Sequence, residues 1–139
     1  MIFETTIAST IVDKRGNDKI QKSSYILENF ETFGEVEQKL YEEFGNETGF
    51  EVCAIKISKL KEIINEAPQG DTECKIYFAT ICDHFITEEG DDKELRYQVC
   101  LHAHDINEAH QAVKQYMKQG LEDMELKQLK ETKYLEVIK

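Results

Sequence analysis

The residues of this chain whose types and spacing could do chemistry are Cys100-Leu-His102-Ala-His104 and Cys82-Asp-His84. Side chains two apart on a strand share a face, so His102 and His104 can approach one ion. Imidazole with thiolate suits Zn²⁺, and a hairpin would carry Cys82, His84 and Cys100 toward the histidine pair. No Cys-x-x-Cys or His-Glu-x-x-His pattern fixes the spacing, so a polarisable, half-buried sheet face is the weightier reading. Cys100 with His102 or His84 is also the arrangement that a thiol nucleophile needs.

A second set is basic. Lys56 and Lys59 recur as Lys130 and Lys133, and Glu62 recurs as Glu136, in each case 74 positions on. Matched lysines could hold an anionic ligand or a nucleic-acid backbone, with Lys61 and Lys127 adding charge. The simpler role is a solvated strand edge, where Lys blocks edge-to-edge pairing and Glu lies across the ladder. Tyr25, Tyr77, Phe78, Tyr97 and Tyr116 could stack on bases, yet most fall in the apolar phase of their elements. No glycine-rich phosphate loop or Gly-x-Ser-x-Gly turn occurs.

These residues sit on elements that the chain states twice. Glu51–Ile64 and Glu125–Ile138 are near copies, and a repeat of this kind fixes architecture before any motif is read. Phe3–Val12 and Lys19–Phe30 read as strands joined by the turn at 13–18. Thr32-Phe-Gly-Glu35 is a capping box. Val36, Leu40 and Phe44 follow at helical spacing, and Glu51–Ser58 is a third strand. In the second copy Cys74–Ile86 and Leu95–Ala103 are strands, and Asp105-Ile-Asn-Glu108 is the capping box. Ala109, Val113 and Met117 form the helical stripe, and Met124–Thr132 is the last strand. The offset between copies grows from 70 (Ala8–Ile11 against Phe78–Ile81) through 73 at the caps to 74, placing length differences in the hairpin turn and helix-end loops. Cys100, His102 and His104 then match Leu27, Asn29 and Glu31. The polar segment 65–72, with the only proline, joins repeat one (1–64) to repeat two (73–139) within a single domain.

Alternation assigns faces to the second hairpin. Tyr77, Ala79, Ile81 and Phe85 with Leu95, Tyr97, Val99, Leu101 and Ala103 make an apolar face for the helix. Cys74, Ile76, Phe78, Thr80, Cys82 and His84 with Arg96, Gln98, Cys100, His102 and His104 make a mixed face, the candidate contact surface.

The chain has 139 residues and a formal net charge of −11. Repeats of this size are marginal alone, so they are expected to share one core. The acidic balance argues against wholesale nucleic-acid binding and suits a cytosolic protein. No apolar window is long enough for a membrane span, and Met-Ile-Phe-Glu-Thr-Thr does not open like a signal peptide. The four cysteines are therefore read as reduced thiols.

Glu51-Val-Cys-Ala-Ile-Lys56 with Lys59 and Glu62-Ile63 resembles the central signature of an uncharacterised domain family found in Bacteroidetes bacteria and their phages. The Phe3-Glu4 strand, Thr32-Phe33 with Glu35 and Glu37, and Ala103 and Asp105 with Glu108-Ala109 are similar too. The likeness covers essentially the whole chain. Where that family often opens with Trp-Phe, this chain has Ile2-Phe3; where it often has Ala, this chain has Phe30. The resemblance implies provenance and a two-repeat design, and it supplies no activity.

The expected fold is α+β: two ββαβ repeats related by a pseudo-two-fold, mainly antiparallel, with one helix per repeat. The expected role is a non-catalytic cytosolic binding module of bacterial or phage origin, with a protein partner or a second copy, no membrane and no cofactor. One alternative is nucleic-acid association through the repeated lysines. The other is a Zn²⁺-binding protein or metal-dependent enzyme using Cys82, His84, Cys100, His102 and His104.

Overall fold

A threonine- and isoleucine-rich alternation makes strand β1 (Ile2–Val12), which pairs antiparallel with β2 (Asp18–Glu28). Helix α1 (Phe33–Phe44) follows, capped by Thr32, whose Oγ1 accepts from the Glu35 N–H at 3.1 Å. Strand β3 (Glu51–Ile57) returns beside β1, and a short β4 (Leu60–Ile63) comes next. The second copy runs β5 (Lys75–Ile86), β6 (Asp92–Ala103), α2 (Ile106–Lys118), β7 (Asp123–Glu131) and β8 (Tyr134–Ile138). The computed structural model describes residues 1–120 and 123–139. Among them, no helix is long and apolar enough to cross a membrane.

The class is α+β as expected, built as two mixed sheets of 4 strands each. The chain forms two units. Unit one is Met1–Ser58 with Lys133–Lys139, and unit two is Lys59–Thr132. Their strand orders are β3-β1-β2-β8 and β4-β6-β5-β7. Each repeat is therefore ββαββ rather than ββαβ, and its last short strand is given to the other unit. There it pairs in parallel, β8 with β2 and β4 with β6. Neighbouring parallel strands cannot be joined by a tight turn; here the exchange supplies them. The unit boundaries fall at 58/59 and 132/133, and the proline-containing segment 65–72 lies inside unit two.

Backbone hydrogen bonding marks where the chain crosses. The Ser58 N–H donates to the Ile2 carbonyl at 2.8 Å, and the Thr132 N–H donates to the Ile76 carbonyl at 2.9 Å. Each closes the β3 or β7 ladder one residue before Lys59 or Lys133. The best-matched part of the two copies is thus the crossing itself.

Two core clusters replace the expected shared one, each beneath its own helix. Val36 and Leu40 pack on Phe3, Ile7, Leu27 and Ile138. Ala109 and Val113 pack on Tyr77, Ala79, Ile81, Val99, Leu101 and Ala103, with Ile64 alongside. The exchanged strands bring Ile138 to the first cluster and Ile64 follows β4 to the second.

The offset between repeats is 74 throughout the sheets. β-bulges interrupt pairing at Thr6/Ile7 and at Thr80/Ile81, and Phe3 faces Leu27 as Tyr77 faces Leu101. Both hairpin turns close alike: Asp13 and Thr87 N–H donate to Asn17 and Asp91 carbonyls, and Gly16 and Gly90 N–H donate back to residues 13 and 87. Gly16 and Gly90 have φ of +82° and +86°, where a side chain is strained. The match of Ala8–Ile11 with Phe78–Ile81 is therefore not structural, since Ala8 corresponds to Cys82. The caps stand 73 apart and β3 and β7 again 74, so unit one has one residue more before its helix and unit two one residue more between its cap and β7; neither difference lies in the hairpin turn.

The apolar face of the second hairpin is as expected up to Ile81 and Tyr97. Beyond them Asp83 interrupts the stripe, and Phe85 (39%) and Leu95 (55%) are exposed and lie outside the cluster that packs on α2. The mixed face is more buried than its composition suggests. Ile76, Phe78, Cys82, Cys100 and His102 are all buried, so it is not a free contact surface.

Candidate functional site

The five residues expected to gather around Zn²⁺ do not form one site. Cys100 pairs with Phe78 and His102 with Ile76, whereas Cys82 pairs with Arg96 and His84 with Glu94. Cys82 and Cys100 are four rungs apart, about 13 Å along the ladder. Sharing a face does not mean sharing a rung. In the structure Cys100, His102 and His104 correspond to Ile26, Glu28 and Phe30, not to Leu27, Asn29 and Glu31. His102 is held by Asn65: its N–H donates to Asn65 Oδ1 at 2.6 Å, and its carbonyl accepts from Asn65 Nδ2 at 2.9 Å. The equivalent position in unit one is an ion pair, Glu28 with Lys139 at 3.8 Å.

His104 goes elsewhere, to the short connection between β6 and α2, where it meets two residues of the preceding loop. Its Nε2 lies 2.6 Å from Asp71 Oδ2 and 3.6 Å from Cys74 Sγ, and the same sulfur lies 3.6 Å from Asp71 Oδ2. Its Nδ1 lies 2.9 and 3.1 Å from the Glu108 carboxylate oxygens. Each group is positioned locally. Asp71 Oδ1 accepts from the Glu73 and Cys74 N–H groups at 2.9 and 3.2 Å, an Asx turn that leaves Oδ2 for His104. Glu108 sits in the first turn of α2, where Asp105 caps its N–H at 2.8 Å.

Charge follows geometry. Glu108, and then Asp71, hold the His104 imidazole above its ordinary pKa. The Glu73 N–H, then His104, keep Asp71 below the usual carboxylate range. Burial, then Asp71, push the Cys74 thiol up. Cys74, His104 and Asp71 thus present sulfur, nitrogen and oxygen donors to one point and could hold a metal ion.

Cys82, His84 and Glu94 also converge, but as links in an ion-pair chain. Arg96 Nε donates to Glu94 at 2.8 Å, and His84 lies 3.4 Å from Glu125, which also takes Lys127 at 3.1 Å. The Cys82 thiol is driven up by burial and then by Glu94. Near it, Asp83 is buried with Oδ1 lacking a hydrogen-bond partner among the described residues.

The repeated lysines are not brought together within either unit. Lys56 lies on β3 and Lys133 just before β8, on opposite edges of the first sheet, and Lys130 and Lys59 are placed likewise in the second. Lys56 reaches Glu4 at 3.9 Å. Glu62 accepts from Tyr116, whose phenol burial, and then Glu62, push well up. Glu136 is exposed near Tyr25. The aromatics do not offer stacking faces: Tyr77 and Phe78 are buried, Tyr25 lies against Phe44 at 4.7 Å, and Lys61 covers Tyr97 at 4.2 Å.

The sequence pointed to His104 and placed Cys74 on its face without making it a ligand, left Asp71 in the linker, and offered Glu108 only as a cap. The available signal was Asp71-Thr-Glu-Cys74, a turn-forming Asp followed at the third place by a thiol.

Comparison with curated proteins and with solved structures finds no match. A family model described as "Domain of unknown function (DUF4494)" matches residues 1–139, and the chain belongs to that family.

Proposed function

We propose that this chain is a non-catalytic binding module of bacterial or phage origin, working in the cytoplasm and engaging a protein, in the first instance a second copy of itself. One observation carries the reading. The ends of both hairpins expose apolar side chains: Val12 and Ile20 in unit one, Phe85, Ile86 and Leu95 in unit two. Ile86 is 71% exposed, and exposed apolar groups favour contact with another protein; Phe85 and Leu95 share one face of the hairpin end and Ile86 lies on the other. Val12 and Ile86 are equivalent, so an exposed apolar residue at the end of the first hairpin strand is common to both repeats, whereas Ile20 corresponds to Glu94, and Phe85 and Leu95 to Ile11 and Gln21. Cys100, the thiol considered as a nucleophile, is 0% exposed, which supports the non-catalytic reading. The provenance rests on the strand and cap motifs described above.

Light scattering at micromolar concentration tests it. Wild type is expected to run as a dimer, and Ile86→Asp with Leu95→Asp as a monomer with unchanged circular dichroism. A monomeric wild type overturns the self-association reading.

A further inference from the structure

We propose that Asp71, Cys74 and His104 form a Zn²⁺ site in unit two, with Glu108 fixing the imidazole and the fourth tetrahedral position open to solvent.

The donor set comes first. Sulfur, imidazole nitrogen and carboxylate oxygen together suit Zn²⁺, whereas Mg²⁺ and Ca²⁺ prefer oxygen alone. The spacing comes second. Donors at ordinary Zn²⁺ bond lengths lie about 3.3–3.7 Å apart at the corners of a tetrahedron. Cys74 Sγ stands 3.6 Å from both His104 Nε2 and Asp71 Oδ2. The third edge, Nε2 to Oδ2, is 2.6 Å because the two are hydrogen-bonded. Replacing that bond by a metal requires an opening of less than about 1 Å, and Asp71 can move while Oδ1 keeps the backbone N–H groups of its own turn.

The outer partner comes third. A metal-bound histidine almost always donates its other N–H to a carboxylate or carbonyl, which fixes the ring and its tautomer. Glu108 meets Nδ1 at 2.9 Å, leaving Nε2 toward Asp71 and Cys74. The cluster also gathers two carboxylates around one imidazole, a concentration of negative charge that a dication relieves.

The same residues could be read as a cysteine nucleophile with a histidine base and an acidic orienter. The geometry disfavours that. A base must take the thiol proton through Nε2, and the nearest partner of Nε2 is the Asp71 carboxylate at 2.6 Å, not the sulfur at 3.6 Å. The three ligands leave the outer side accessible, since the His104 side chain is 41% exposed and Asp71 18%. A water or a small anionic ligand can complete the coordination.

The test uses full-length protein without a histidine tag, stripped with chelator and titrated with Zn²⁺ against a chromophoric competitor, then with Co²⁺. One ion per chain is expected, and Co²⁺ should give intense tetrahedral visible bands with a near-ultraviolet thiolate charge-transfer band. Cys74→Ser should abolish the charge-transfer band, and Asp71→Asn should weaken binding. Glu108→Gln should weaken it roughly 10- to 100-fold with unchanged circular dichroism. His84→Ala should change nothing. Failure to bind Zn²⁺ below micromolar concentration overturns the proposal, as does a charge-transfer band that survives Cys74→Ser.

Discussion

The connection from sheet to helix is built twice in this molecule, with different results. In unit one the Glu35 carboxylate reaches back past the Thr32 cap to accept from the Glu31 N–H at 2.9 Å, a variant of the capping box one residue further out. In unit two the equivalent Glu108 instead binds the His104 imidazole. The cause is one residue of length. Unit one goes from β2 to its cap through Asn29, which takes φ +72°, Phe30 and Glu31. Unit two goes from His102, the equivalent of Glu28, to Asp105 through Ala103, still in β6, and His104. A shorter connection sets the histidine over the first turn of α2, where the first unit has backbone to cap. One frame thus carries a purely structural joint in one place and a donor cluster in the other.

If the frame is shared, its core must respond equally in both copies. Leu27 and Leu101 are equivalent, and both are fully buried under their helices. Leu27→Ala and Leu101→Ala should each cost about 2–5 kcal/mol by urea denaturation, since each leaves a cavity that a packed core closes only in part. A clear cost for one and none for the other would break the equivalence.

A smaller effect sharpens the difference. Tyr134 donates to the Glu4 carboxylate in unit one, and burial, then Glu4, push its phenol above the ordinary tyrosine range. The equivalent residues in unit two are Leu60 and Phe78, both buried. Tyr134→Phe should cost about 1–3 kcal/mol, because it removes the hydroxyl from a part-buried carboxylate. Combining Glu4→Phe with Tyr134→Leu, which copies unit two, should recover most of that loss, as apolar replacement of both partners of a buried polar pair often does. A double variant as unstable as the single one would show that the two sites are not interchangeable.

Much of this frame is legible in the residues. Strand alternation gave the hairpins, Thr32 and Asp105 gave the helix starts, and Val36/Leu40 and Ala109/Val113 gave the buried helix faces. The exchange of β4 and β8 was not legible. Leu60–Ile63 is only 4 residues long, and nothing in its composition names the sheet that it joins. Only the backbone bonds of Ser58 and Thr132 reveal that the chain leaves one ladder for another. The site divides in the same way. His104 stands out by type, but its partners come from a loop some thirty residues earlier, and their meeting is tertiary. Cys82 and Cys100 misled for the complementary reason, since period-two alternation assigns a face and leaves position along it open.

The smallest expected effect depends on pH and on a group that unit one lacks. Glu94 accepts from the Cys82 thiol and from Arg96, which together hold its carboxyl down to about 2; its counterpart is Ile20. Between about 2 and the ordinary value of 4.5 the unfolded chain binds this proton and the native one does not, so stability rises with pH there. The contribution is complete above 4.5 and is lost as pH falls through about 2. Glu94→Gln keeps an acceptor for both donors and removes the titration. The urea midpoint of wild type should therefore exceed that of Glu94→Gln at pH 7, and the gap should narrow steadily in acid. Because the pair is exposed, the gap should be modest and should shrink in high salt. A gap of equal size at pH 7 and near pH 2.5 would mean that Glu94 stabilises unit two through packing, and that the two hairpins differ in shape rather than in charge.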